Sequence, residues 1–150
     1  MRHSPQEIFN TAARWLEATG STPYEARVVA DHLTNANLRG HDSHGVGMIA
    51  MYALYQKDGR LKSNTPARLV KDAGSILQFS GDRGYGQRVG FEATNAAIER
   101  AKQNGIPSQV IARKDFPTKE AYDAAMLQAI EQTGAEYLVL AGFLSILGES

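Results

Sequence analysis

The chain has 150 residues, 43% of them hydrophobic and 21% charged, which is enough to bury one sizeable core without covalent staples. Lys+Arg and Asp+Glu are equal at 16 each and no run of like charge occurs, so no global field or tail is available to attract nucleic acid or an anionic membrane. The absence of cysteine excludes disulfides and thiolate metal sites and fits a reducing compartment. The polar start, MRHSPQEIFN, does not resemble a secretory leader, and the longest apolar run, Tyr137 to Ala141, is too short to span a bilayer. A cytoplasmic protein is expected.

In chain order, Ser4-Pro5-Gln6-Glu7 is a capping box with proline at the first helical position. Ile8, Ala12, Trp15 and Leu16 then share a face, and Gly20 is a natural stop. Thr22-Pro23-Tyr24-Glu25 repeats the start signal, with Ala26, Val29, Leu33 and Ala36 as the apolar stripe and Gly40 as the end. A third helix is expected from Asp42 or Ser43 through Tyr52 to about Asp58-Gly59. Short strands follow at Arg68 to Val70 and Ile76 to Ser80, joined by a turn around Ala73-Gly74-Ser75. The stretch Gly81 to Gly86 opens a helix carrying Val89, Ala93, Ala97 and Ala101 as far as Gly105. Val110 to Ala112 reads as a strand, Thr118 caps a helix that stops at Gly134, and Tyr137 to Leu140 reads as a strand covered on both faces. The expected fold class is therefore α/β in a single domain, 1–150: amino-terminal helices, then a small mixed or parallel sheet with crossover helices. Trp15, Met48, Met51 and Met126 are expected in the core or at helix contacts.

Three segments carry candidate chemistry. Gly40-His41-Asp42-Ser43-His44-Gly45 puts two imidazoles, a carboxylate and a hydroxyl at the mouth of a helix, suited to holding a substrate carboxylate or to acid–base work. The alternative is that Asp42 or Ser43 merely caps the helix and the histidines are solvated. His-x-x-His with one Asp lacks a further ligand, so no metal is expected. Gly81-x-x-Gly84-x-Gly86 sits between strand and helix, but its spacing is not that of a dinucleotide-binding turn, and a tight turn needing positive φ is the simpler reading. Leu140 to Leu147 ends a candidate buried strand, where ligands bind in open α/β sheets; core packing is its alternative.

Residues 1–106 resemble the amino-terminal part of the malate/L-lactate dehydrogenase family that is distinct from the Rossmann-type enzymes. The likeness rests on Asn37-Leu38-Arg39-Gly40-His41-Asp42-Ser43-His44-Gly45-Val46-Gly47-Met48-Ile49 with Tyr52 a turn on, on Gly81 to Gln87, and on Ala97 to Ile106. It implies NAD(P)-dependent oxidation of 2-hydroxy acids or reduction of related imines, with Ser43, His44 and Tyr52 lining the substrate and nicotinamide pocket. Residues 105–150 resemble phosphoribosylglycinamide formyltransferase, through Gly105-Ile106-Pro107, Val110-Ile111, Lys114-Asp115-Phe116-Pro117, Lys119 to Asp123 and Leu138 to Leu147. That likeness implies a strand–helix–strand segment over 107–150, with Gly142, Phe143, Leu144, Ser145 and Ile146 beside a folate.

Both likenesses are incomplete. Where the dehydrogenase family carries a Ser-Asn-His-type motif this chain has Arg113-Lys114-Asp115-Phe116, and no arginine stands between His44 and Tyr52. The formyltransferase family's Asn, His and Asp would follow Ser150. Together they imply a chimera joined at Gly105, a scaffold in which Ser43, His44 and Tyr52 are vestigial and which turns over neither malate, lactate nor ureidoglycolate. No cofactor is then expected, with NAD(P) or folate as the residual ligands. The alternatives are a truncated 2-hydroxy-acid dehydrogenase and a weak nucleotide- or folate-binding module. Self-association is expected, through the carboxyl-terminal strand or the helical third.

Overall fold

The computed structural model describes residues 3–139. It divides into two compact units, Met1–Ile106 and Pro107–Ser150.

In the first unit, α1 (Pro5–Ala18) begins as its sequence dictates. Ser4 Oγ accepts from Glu7 N at 3.2 Å and Glu7 Oε2 accepts from Ser4 N at 2.8 Å. Helix α2 (Pro23–Leu38) follows a turn closed by Gly20 at φ 100°. The two helices pack against each other through Ala12, Ala13, Leu16, Ala26, Val29, Ala30 and Leu33, the core of the unit. Small residues on both faces let the backbones approach closely. Trp15, Met48, Ile49 and Tyr52 pack on the rim of this core, whereas Met51 is 40% exposed.

The expected third helix is interrupted. A short 3₁₀ turn spans Asp42–His44, and α3 (Met48–Lys57) starts only after Gly45-Val46-Gly47. Strands β1 (Arg68–Asp72) and β2 (Leu77–Ser80) form an antiparallel hairpin, pairing Arg68 with Ser80 and Asp72 with Leu77 around an irregularity at Val70. Its turn uses Gly74 at φ 76°. Helix α4 (Gly86–Gln103) closes the unit, and Tyr85, just before it, is the largest fully buried side chain.

In the second unit, Thr118 caps α5 (Lys119–Thr133) by accepting from Ala121 N at 3.2 Å, and Gly134 ends it in the left-handed region. Phe116 meets Tyr122 edge-on at 5.8 Å. The expected strand at Val110–Ala112 is extended chain leading to a 3₁₀ turn at Arg113–Asp115. Tyr137–Val139 is likewise not a strand, and Tyr137 and Val139 are almost fully exposed rather than covered. A strand exists only where a neighbour completes its hydrogen-bond ladder, and among the described residues neither segment has one. The fold is thus α/β with an antiparallel pair; the expected parallel crossover does not form among those residues.

Candidate active site

The turn between α2 and α3 displays the side chains singled out in the sequence. Ser43 Oγ lies 3.0 Å from His44 Nδ1, and both residues are exposed. The turn closes through its own backbone, His44 N donating to His41 O at 2.9 Å and Gly45 N to Asp42 O at 3.1 Å. It is also tied to the end of α2 by Asn37. The Asn37 amide accepts from Val46 N at 2.8 Å and donates to Asp42 Oδ1 at 2.6 Å. Gly45 is buried beneath that amide, where any Cβ would overlap Asn37 Oδ1.

The Ser43 Oγ–His44 Nδ1 bond runs in either direction with the tautomer: Nδ1–H donating to the hydroxyl leaves Nε2 as an acceptor, and the hydroxyl donating leaves Nε2 as a donor. With Nδ1–H donating to Ser43, Nε2 can take the hydroxyl proton of a 2-hydroxy acid, and the imidazolium so formed can return it to the oxygen of a 2-oxo acid.

Tyr52 belongs to α3, where its hydroxyl accepts from Gln87 Nε2 at 2.6 Å. Its ring stands edge-on to buried Tyr85 at 5.3 Å. Gln87 occupies a lone pair of the phenol and leaves the O–H free to donate. Tyr85 in turn accepts from Gln56 at 3.1 Å, and burial pushes its phenol above the usual range. Ser43 and His44 are thus brought together, while Tyr52 is oriented separately; no hydrogen bond among the described residues joins the two groups. Gly142, Phe143, Leu144, Ser145 and Ile146 lie outside the described residues.

The glycine-rich turn works differently from its sequence reading. Positive φ falls on Asp82 (42°) and Arg83 (72°), not on Gly81 or Gly84. Gly84 is needed for space, because a Cβ there would overlap the Thr65 carbonyl oxygen. Asp82 accepts from Ser80 Oγ at 2.6 Å and pairs with Arg68, whose guanidinium holds the Asp82 carboxyl down at about 2. A dinucleotide phosphate does not fit here: the space beside Gly84 holds a backbone oxygen, and the turn carries a carboxylate.

Two groups escaped the sequence reading. Asn37 stood in the recognised motif without a role, its only signal being an amide five residues before an aspartate. The other is a buried network: Glu25, fully inaccessible, accepts from Ser21 Oγ at 2.8 Å, Asn64 N at 2.7 Å and Arg88 Nη1 at 3.2 Å. Arg88 also pairs with Glu92 at 2.8 Å; burial works against its charge, but these two carboxylates outweigh it and hold the guanidinium above its usual range. Nothing in sequence spacing signals a contact between positions 25 and 88.

The site is thus a polar turn, set on a paired helical core, that presents a serine–histidine couple. Among the described residues no helix is long and apolar enough to cross a membrane, and no cluster of metal-ligating residues occurs. The chain belongs to the malate/L-lactate dehydrogenase family, which matches residues 3–128. It is 40% identical over 129 residues to hydroxycarboxylate dehydrogenase B of Escherichia coli K12, covering 86% of this chain and 34% of that protein. The structure of malate dehydrogenase from Pyrococcus horikoshii superposes with a TM-score of 0.66 at 32% identity, over 70% of this chain and 30% of that one. Sulfolactate dehydrogenase from Methanocaldococcus jannaschii gives 0.66 at 30% identity. The chain spans about a third of the length of the curated Escherichia coli relatives it matches. The family match runs through Gly105 to residue 128, so these comparisons lend no support to a formyltransferase segment or a join.

Proposed function

We propose that this chain supplies the substrate-side groups of a nicotinamide-dependent oxidoreductase acting on small 2-hydroxy acids. The observation that carries the reading is the Ser43–His44 couple at 3.0 Å on a turn tied at both ends. His44, with Nδ1–H donating to Ser43 Oγ, takes the substrate hydroxyl proton on Nε2, and Tyr52, its lone pair engaged by Gln87, donates to a substrate carboxylate. The nicotinamide ring, when bound, supplies hydride exchange. Because the glycine turn does not fit the phosphates, we assign that turn no phosphate-binding role.

Calorimetric titration of the full chain with L-malate and L-lactate, with and without NADH or NADPH, tests this reading. His44→Ala is expected to abolish binding, and Ser43→Ala to weaken it about tenfold, the value of one hydrogen bond. Equal binding by wild type and His44→Ala, or none by the wild type, refutes it.

A second reading keeps residues from Pro107 on as formyltransferase-derived. It is favoured by the boundary between the two compact units, which falls at Ile106–Pro107; the family match across Gly105 weighs against it. Titration with a reduced folate separates the two: binding lost on Phe143→Ala supports the second reading alone.

A further inference from the structure

We propose that Asn37 is a positioning residue for the Ser43–His44 couple, a two-ended clamp that sets where the imidazole stands; its functional meaning rests on the substrate-side reading above. Three observations converge. The acceptor end of the amide takes Val46 N–H just after the turn, at 2.8 Å. The donor end reaches Asp42 Oδ1 at the start of the turn, at 2.6 Å. The amide has only one workable orientation, since reversing it sets oxygen against carboxylate and NH₂ against N–H.

The third observation is Gly45. Its φ of −87° is open to any residue, so backbone conformation does not call for glycine there. Space does: the three atoms nearest a Cβ there all belong to the Asn37 amide, and it would overlap them. Gly45 therefore serves the clamp. One planar group bolts the five residues from Asp42 to Val46 onto the end of α2, and the hydroxyl–imidazole pair lies between the bolts. A turn held only by its two short backbone bonds would leave His44 free to sample other orientations.

The test reads the geometry directly, by long-range ¹H–¹⁵N spectra of the histidine rings in the ligand-free full chain. In Asn37→Ala the His44 Nδ1 resonance is expected to move to its position in Ser43→Ala, while the His32 ring and Trp15 fluorescence stay unchanged. Gly45→Ala is expected to do the same and to lower Tm. The double variant is expected to fare no worse than Gly45→Ala alone, because the group nearest the added methyl is then gone. Should Asn37→Ala fail to fold, Asn37→Asp keeps the acceptor for Val46 but sets a carboxylate against Asp42. Its displaced His44 signal is expected to return toward wild type when Asp42→Asn is added. A wild-type His44 signal in Asn37→Ala or Asn37→Asp, or strictly additive effects of the 37 and 45 substitutions, overturns the proposal. Failure of the substrate-side reading looks different: a wild-type ring signal intact, with no 2-hydroxy acid bound.

Discussion

Removing Glu25 should unfold the amino-terminal unit more readily than any surface change, and the size can be worked from its partners. The carboxylate is inaccessible and holds Ser21, Asn64 and Arg88 at once, linking the α1–α2 turn, the loop before the hairpin and α4. Taking one partner from a buried ion pair costs about 3–5 kcal/mol, because the other charge is stranded. Here Glu25→Ala strands Arg88 only in part, since Glu92 still pairs with it at 2.8 Å and its side chain is 13% exposed. The lower end, about 3 kcal/mol, is therefore expected. The reciprocal Arg88→Ala leaves a fully buried carboxylate with no cation and should lose at least as much. For a unit of this size the shift in Tm is about 4–8 °C per kcal/mol. Trp15, the sole tryptophan, packs on the α1–α2 core and reports this unit by fluorescence in urea titrations. A loss under about 1 kcal/mol for both variants, or losses that add in the double variant, would refute the argument that the network acts as one piece.

Three further expectations follow from single contacts. Gly84→Ala forces a methyl against the Thr65 carbonyl and should destabilise by about 1–3 kcal/mol, whereas Gly90→Ala, mid-helix with nothing within 4 Å, should stabilise by about 0.5–1 kcal/mol; urea midpoints decide both. Asp72 is held at about 2, mainly by Arg100, against 3.8 when free, so the unfolded chain binds the proton first as pH falls. The stability from this pair is complete above about pH 4 and lost as pH falls toward 2; Asp72→Asn should flatten Tm against pH across that window. Self-association through exposed apolar residues such as Leu54, Ile76 and Phe91 is expected from their size and a net charge of zero, and light scattering that finds a monomer across the micromolar range counts against it.

Most helix boundaries were legible because the signals are local. Ser4, Thr22 and Thr118 accept from backbone N–H groups three residues on, and Gly20, Gly40, Gly105 and Gly134 all take positive φ just past the ends of α1, α2, α4 and α5. What failed was non-local. Val110–Ala112 and Tyr137–Val139 have strand composition, but a strand is decided by its neighbour, which no periodicity reveals. The third helix begins five or six residues late because Asn37, on the preceding helix, takes the Val46 N–H that would otherwise join the turn to α3.

The two amino-terminal start signals show why a motif can be read correctly and its residues still misassigned. Both segments place a Ser or Thr, then Pro, then Glu three positions after the cap. In the first, Glu7 returns to the cap backbone and the box closes. In the second, Thr22 caps Glu25 N at 3.4 Å, but the Thr22 N–H goes to Asn64 Oδ1 at 2.6 Å. The Glu25 carboxylate, released from capping, turns inward to Arg88. The difference lies forty residues downstream, in Asn64, which adopts positive φ (59°) and caps α2 from outside. Asn64 also donates from its side chain to Gly20 O, binding the α1–α2 turn from both sides. A local signature thus fixes that a helix begins at Pro23, while tertiary contacts decide what its glutamate does. The same division holds at the site: the sequence identifies Ser43 and His44 by type, and Asn37 and Gly45, given a role only by geometry, decide where they stand.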